Sequence, residues 1–280
     1  MKITVLGSSG YGYPLVFCSC EYCKKARELS GKNIRKRASI LINDEMIIDL
    51  TPDCQVSMNM YGKDMSQVKF LLQTHTHLDH FDMNHFSSLD SKYLTKLRDK
   101  FNLVCSTKCM QDIHEKLSKY DNMNLFDKNY LNKINMKTFE VNHGESLEIS
   151  GYKIKAIHCL HDEKLGAQLY LITYNNKTIL YATDTPQITQ TALDELNGNT
   201  IDCVFLDESF GLKDYSFSHL NIKGFCEYMN ILKNNNLLSG DCKVFATHIT
   251  HDGNPCHDEL EEILNKYGYN TAYDGLEINL

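Results

Sequence analysis

Four residues able to bind a metal ion fall within six positions of the chain, in His75-Thr76-His77-Leu78-Asp79-His80. In extended backbone, residues two apart project to the same side, so His75 and His77 can hold one ion together. If the chain then turns, Asp79 and His80 face a second ion beside the first. Two ions roughly 3.5–4 Å apart can share a bridging hydroxide and clamp an ester or phosphodiester. A lone histidine would more often be a hydrogen-bonded core or surface residue. Four such groups together, if buried without a partner, would be expensive.

A second cluster, Cys18-Ser19-Cys20-Glu21-Tyr22-Cys23, puts three thiols into six residues. That suits tetrahedral zinc once a fourth ligand joins. The chain has eleven cysteines, an odd number, and its start reaches Gly7 and Ser8 before a signal-peptide core could form. A disulfide framework is therefore not expected, and thiol or metal chemistry is the better explanation.

These residues need elements to position them. Short apolar runs rich in β-branched or aromatic residues predict strands at 2–6, 39–42, 46–49, 68–73, 103–106, 152–157, 169–174, 178–182, 203–206 and 243–246. Asn175-Asn176 reads as a tight hairpin turn. Helical period is clearest over 108–120, 220–232 and 257–267. The alternation predicts an α/β protein of mixed sheets faced by helices. Without a low-complexity linker or repeat, one domain over 1–280 is expected.

Composition narrows the function. Twenty-nine Lys and Arg against 36 Asp and Glu give a formal charge of -7, the opposite sign to a usual nucleic-acid binder. No stretch approaches the roughly 18 apolar residues of a membrane span. A cytoplasmic protein with no membrane or nucleic-acid partner is expected, and a homodimer is compatible with this reading. The run Lys24, Lys25, Arg27, Lys32, Arg35, Lys36 and Arg37 could gather a phosphorylated substrate, although a solvated face is the commoner meaning.

The run from His75 to His80, following the apolar Phe70-Leu71-Leu72, resembles the His-x-His-x-Asp-His motif of the metallo-β-lactamase superfamily. The resemblance implies a four-layer αβ/βα sandwich and three further ligands on loops after later strands. His161 resembles the third ligand of the first ion, with His158 and His143 as rivals. Asp184, in Thr183-Asp184-Thr185, resembles the carboxylate bridging both ions, though it could cap a helix before Pro186. His248, in Ala246-Thr247-His248-Ile249-Thr250-His251, resembles the last ligand. The implied set is His75, His77 and His161 on one divalent ion, Asp79, His80 and His248 on the other, and Asp184 between, the ions being zinc or manganese.

His251, three residues beyond His248, is the natural fourth ligand for a structural zinc with Cys18, Cys20 and Cys23. This combination is similar to the subgroup that includes the phosphoribosyl 1,2-cyclic phosphate phosphodiesterases. The similarity extends through Leu6-Gly7-Ser8-Ser9-Gly10, Ile48-Asp49-Leu50-Thr51-Pro52-Asp53 and Ala272-Tyr273-Asp274-Gly275-Leu276. It also implies a role near the leaving group for His219, which could otherwise be a helix cap. Departures at Phe81-Asp82-Met83-Asn84-His85, in the loop from Asp207 to His219, and over 92–137 are where substrate choice is expected.

The expected activity is hydrolysis of a small phosphodiester, cyclic ones included, with Asp79 and His219 as catalytic residues. The alternatives are a lactone or thioester hydrolase on the same metals, or a metal-binding protein without turnover. A tRNA 3′-processing nuclease shares the ligand set but would need an RNA-gripping arm and a basic face.

Overall fold

The computed structural model describes residues 1–93 and 100–280; of the polar stretch over 92–137, residues 94–99 lie outside the described residues. In chain order the elements are β1 (Lys2–Gly7), α1 (Glu21–Leu29), β2 (Ser39–Ile42), β3 (Met46–Ile48), α2 (Cys54–Met60), β4 (Phe70–Leu72), α3 (Met83–Ser87), β5 (Phe101–Cys105), α4 (Thr107–Asp121), α5 (Lys128–Lys133) and β6 (Met136–Glu140). The second half adds β7 (Ser146–Ile149), β8 (Tyr152–His158), β9 (Gln168–Tyr174), β10 (Lys177–Ala182), α6 (Gln190–Leu196), β11 (Ile201–Asp207), α7 (Ile222–Asn234), β12 (Leu238–Thr247), α8 (His257–Asn265), β13 (Asn270–Thr271) and β14 (Glu277–Asn279).

The strands form two seven-stranded sheets, β14-β1-β2-β3-β4-β5-β6 and β13-β12-β11-β10-β9-β8-β7. Strand alternation sorts the core into layers. Ile40, Ile42, Phe70 and Leu72 of the first sheet pack with Ile154, Ile172, Ile179 and Phe205 of the second. Their sequence neighbours Leu41 and Leu71 join Met58 of α2 and Ile113 and Leu117 of α4 on the outer side. On the far side, Leu180, Val204 and Leu206 meet Phe225 and Met229 of α7 and Leu260 of α8. Helices, sheet, sheet, helices is the four-layer sandwich expected of the sequence.

The short strands β6, β7, β13 and β14 and the helices α1, α2, α3, α5 and α6 are not expected from the sequence, and the expected elements differ at their ends for local reasons. The strand expected over 46–49 stops at Ile48 because Asp49 takes φ 64°. The one expected over 103–106 stops at Cys105, since the Ser106 side chain accepts from the Cys109 amide and caps α4. Helix α7 begins at Ile222 because the Asn221 side chain caps it by accepting from the Gly224 amide. Both Asn175 and Asn176 have positive φ, as a two-residue hairpin between β9 and β10 requires.

Candidate dinuclear metal centre

The site gathers on loops that leave the carboxyl ends of strands. His75 to His80 follow β4, His161 follows β8, Asp184 follows β10, and His248 follows β12. Asp184 and His248 both adopt left-handed backbone, with φ 57° and 62°. Such non-glycine conformations cost energy and persist where the surroundings over-determine them.

Four donor groups of histidine and aspartate form among the described residues. His75, His77 and His161 make one, Asp79, His80 and His248 another, His75, His80 and Asp184 a third that joins them, and Asp184, Asp207, His219 and His248 a fourth at the edge of the cluster. Within the first, His75 Nε2 and His161 Nε2 stand 3.0 and 3.1 Å from His77 Nδ1. Within the second, His80 Nε2 is 3.3 Å from His248 Nε2, and each lies 3.5 Å from Asp79 Oδ2. Asp184 reaches both, with Oδ1 3.5 Å from His161 Nε2 and Oδ2 3.0 Å from His80 Nε2. Tetrahedral ligands about 2.0–2.1 Å from zinc lie roughly 3.3 Å apart, so the spacing suits shared cations. Asp79 Oδ1 is buried without a hydrogen-bond partner, which an ion or a water in the site would supply. The donors therefore fit a pair of divalent ions.

Supporting groups aim the donor atoms. His80 Nδ1 donates to Asp49 Oδ2 at 2.7 Å, which turns Nε2 inward. Ser209 Oγ lies 2.8 Å from His248 Nδ1, and Thr74 Oγ1 lies 3.0 Å from His75 Nδ1. His77 is reversed: Asp162 Oδ2 is 3.3 Å from its Nε2, leaving Nδ1 to the cluster. Gln73 Nε2 ties Asp49 Oδ1 to the carbonyls of His75 and His80. Asp49 received no role from sequence reasoning; a lone carboxylate straight after the apolar Met46-Ile47-Ile48 was the available signal.

Electrostatics agree with that geometry. Burial, reinforced by the charge of His80, holds His75 well below the ordinary histidine value, and burial also lowers His161. Against the opposing effect of burial, His248 and His80 draw Asp184 well down, while His80 and His248 do the same for Asp79. Metal binding needs this pattern of neutral imidazoles and ionised carboxylates. Burial would lower His80, but Asp184, Asp79 and Asp49 outweigh it and raise it well above the usual value. A divalent ion would replace that proton.

His219 stands beside the cluster, not capping α7. Its Nδ1 donates to Asp207 Oδ2 at 2.7 Å, and its ring stacks on His248 with centroids 5.1 Å apart. Asp207 outweighs the opposing effect of burial and raises His219 to about 9. Asp207 also accepts from the amides of Asp184, Ser209 and Leu220. The rivals lie elsewhere: His143 pairs with Glu195 at 2.9 Å, and His158 Nδ1 is 3.0 Å from Thr189 Oγ1.

The thiol cluster also assembles. Cys18 Sγ and Cys20 Sγ are each 3.5 Å from His251 Nδ1, and Cys23 completes the group. Cys20 caps α1 through its sulfur, which accepts from the Cys23 amide. Arg27 donates to the carbonyls of Cys18 and Leu15, bracing the loop. The basic run is thus not one solvated face. Arg35 is buried and donates to Ser8 Oγ, Ala272 O and His257 Nδ1, while Lys36 and Arg37 pair with Asp274 and Asp53.

Among known proteins, the model of the beta-lactamase superfamily domain matches residues 46–249. No curated protein sequence matches the chain. A diphosphatase of the PhnP family is similar in structure, with TM-score 0.74 and 22% identity, over 100% of this chain and 97% of that one. Zinc-bound PqqB from Methylobacterium extorquens gives 0.72 and 15%, over 100% of both chains. Human tRNase Z, short form, gives 0.64 and 11%, over 100% of this chain and 99% of that one. Among the described residues, no helix is long and apolar enough to cross a membrane.

Proposed function

The chain belongs to the beta-lactamase superfamily of metal-dependent hydrolases, and on that premise we propose that it hydrolyses a small phosphodiester, cyclic ones included. The observation carrying this reading is the His219–Asp207 pair: His219 Nδ1 is engaged by Asp207 at 2.7 Å, and the seven residues His75, His77, Asp79, His80, His161, Asp184 and His248 would hold two ions without it. Names among the structural relatives, a diphosphatase and a tRNase, point toward phosphorus chemistry.

His75, His77 and His161 would hold one divalent ion, zinc or manganese, and Asp79, His80 and His248 the other, with Asp184 shared. When bound, the two ions supply an activated water and polarise the phosphoryl oxygens. Asp79 would meet the second ion through Oδ2, leaving Oδ1, buried and unpartnered, to accept from that water. Asp207 fixes His219 Nδ1, so the other ring nitrogen is free to protonate the leaving oxygen. Cys18, Cys20, Cys23 and His251 would hold a structural zinc that ties the loop after β1 to the loop after β12.

The test is turnover by protein loaded with zinc or manganese, against cyclic and linear phosphodiesters, a lactone and a thioester. Phosphodiester cleavage is expected. Cleavage confined to the carboxylic substrates would overturn the assignment.

A further inference from the structure

The loop between β11 and α7 carries an aromatic cluster that the metal chemistry does not use. Phe210, Tyr215 and Phe217 pack together, with ring centroids 5.1 Å apart for Phe210–Tyr215 and 5.3 Å for Phe210–Phe217. Tyr215 and Phe217 stack at 5.4 Å and 25°. Phe210 also meets His219 edge-on at 5.6 Å, which makes the cluster continuous with the proposed proton donor. Yet Phe217 is 72% exposed and Tyr215 38%. Rings left this open add little to a core, so the fold itself does not account for them.

The cluster is nevertheless held in place. Tyr215 Oη donates to Asp252 Oδ2 at 2.7 Å, Thr250 Oγ1 donates to Ser209 O at 2.6 Å, and the Leu212 amide donates to Gly253 O at 3.0 Å. These bonds staple the aromatic loop to the segment containing His251. A fixed, solvent-facing aromatic surface beside the leaving-group acid is a place for a flat ring to stack.

We propose that Phe217 and Tyr215, backed by Phe210, form a specificity subsite for a planar aromatic ring on the leaving side of the substrate, which makes that substrate a nucleoside phosphodiester. The inference rests on the phosphodiesterase reading and deepens it. A nucleobase is the flat ring that biological phosphodiesters carry, and base-on-aromatic stacking tolerates any base because every base has a π-face. Asp252 beside the cluster is paired with Lys213 at 3.4 Å, so no free cation of that pair remains for phosphates, and the net charge of -7 disfavours a long polyanion. A small substrate with one phosphate and one nucleoside fits better than an RNA strand.

The experiment compares adenosine 2′,3′-cyclic phosphate with the base-free methyl riboside 2,3-cyclic phosphate on metal-loaded protein. The parent should prefer the nucleoside in kcat/KM by roughly ten- to a hundredfold, the range expected for one stacked base. Phe217→Ala should bring the ratio toward one, mainly through KM, and Phe217→Trp should preserve it. The chain has no tryptophan, so Phe217→Trp also installs a single indole reporter. Adenosine monophosphate should quench its emission, and ribose 5-phosphate should not. Equal use of both esters by the parent, or a preference that survives Phe217→Ala, would overturn the subsite while leaving phosphodiester hydrolysis intact. Failure to cleave any phosphodiester would overturn the functional reading instead, and the indole titration would still show whether a base binds there.

Discussion

The two candidate metal-binding clusters of this chain are built in opposite ways. The cysteine cluster is nearly local, with three thiols from one loop and one helix turn and a single distant partner, His251. The histidine–aspartate cluster draws on loops after β4, β8, β10 and β12, so it exists only once both sheets are in place. Burial follows the same division only in part: Cys18, Cys20 and His251 are partly exposed and Cys23 is buried, whereas His75, Asp79, His80, Asp184 and His248 are buried and His77 and His161 partly so. A local site at the edge can stabilise the chain that carries it. A non-local buried site depends on stability gained elsewhere and uses it to hold groups in otherwise unfavourable positions.

The largest effect expected from that contrast comes from Asp184→Ala. Removing the carboxylate shared by both donor groups should reduce turnover to background while the melting temperature stays close to the parent's. Cys20→Ser should do the reverse, because a structural zinc contributes its binding free energy to folding. A fall in Tm of roughly 5–10 °C is expected, given about 2–4 °C per kcal/mol for a chain of this size class. Thermal melts and turnover of both variants test the contrast, and a Cys20 variant with normal melting but no activity would break it. Elemental analysis of chelator-free protein should find about three ions per chain, two in the pair and one structural; one ion or fewer would contradict both halves.

His219→Ala comes next in size. Loss of a proton donor costs about 10²–10⁴-fold in rate. The loss should be full for a sugar or alkyl leaving group and nearly absent for nitrophenolate, which departs unaided. The measurement is the ratio of kcat/KM for the two substrate types, with metal content shown equal in variant and parent. A ratio unchanged from the parent would reduce His219 to a supporting role.

The same local versus non-local divide governs what could be read from the sequence. His75 to His80 and Cys18 to Cys23 were legible because their donors are close together in the chain. The positions of His161, Asp184 and His248 came through resemblance, since nothing in their local spacing links them to His75. Asp49 and Asp207 escaped assignment, and Arg35 was read only as part of a basic run, because their roles are set by what they touch across sheets, and single carboxylates or arginines carry no period. Among the elements, β7 was missed although Ser146-Leu147-Glu148-Ile149 alternates, because only two of its residues are apolar and none is fully buried, whereas four-residue strands such as Ser39–Ile42 carry a continuous apolar run. Strand β12 was expected only over 243–246, for its leading half, Leu238-Ser239-Gly240-Asp241-Cys242, is more exposed and largely lacks an apolar pattern.

The smallest effect concerns what else holds the segment that carries the thiols. Arg35, beyond α1, links to the stretch before the thiols through its amide, which donates to Tyr13 O at 2.6 Å, and to α8 by donating to His257 Nδ1 at 2.9 Å. Burial, then the positive charge of Arg35, lowers His257 to about 4. A folded-state value below the unfolded one means that between pH 6.5 and about 4 the unfolded chain takes up a proton the folded chain refuses. Stability from this group is therefore complete above pH 6.5 and falls as the pH drops toward 4. His257→Asn keeps an acceptor for Arg35 but cannot titrate, so its urea midpoint should fall less than the parent's between pH 7.5 and 4.5. Both proteins should be stripped with chelator first, because acid also releases metal from thiols and imidazoles. Parallel slopes would remove His257 from the account. A shallower slope in the variant, together with a small Tm loss in Cys20→Ser, would show that the Arg35–His257 contact, more than the zinc, secures the local site.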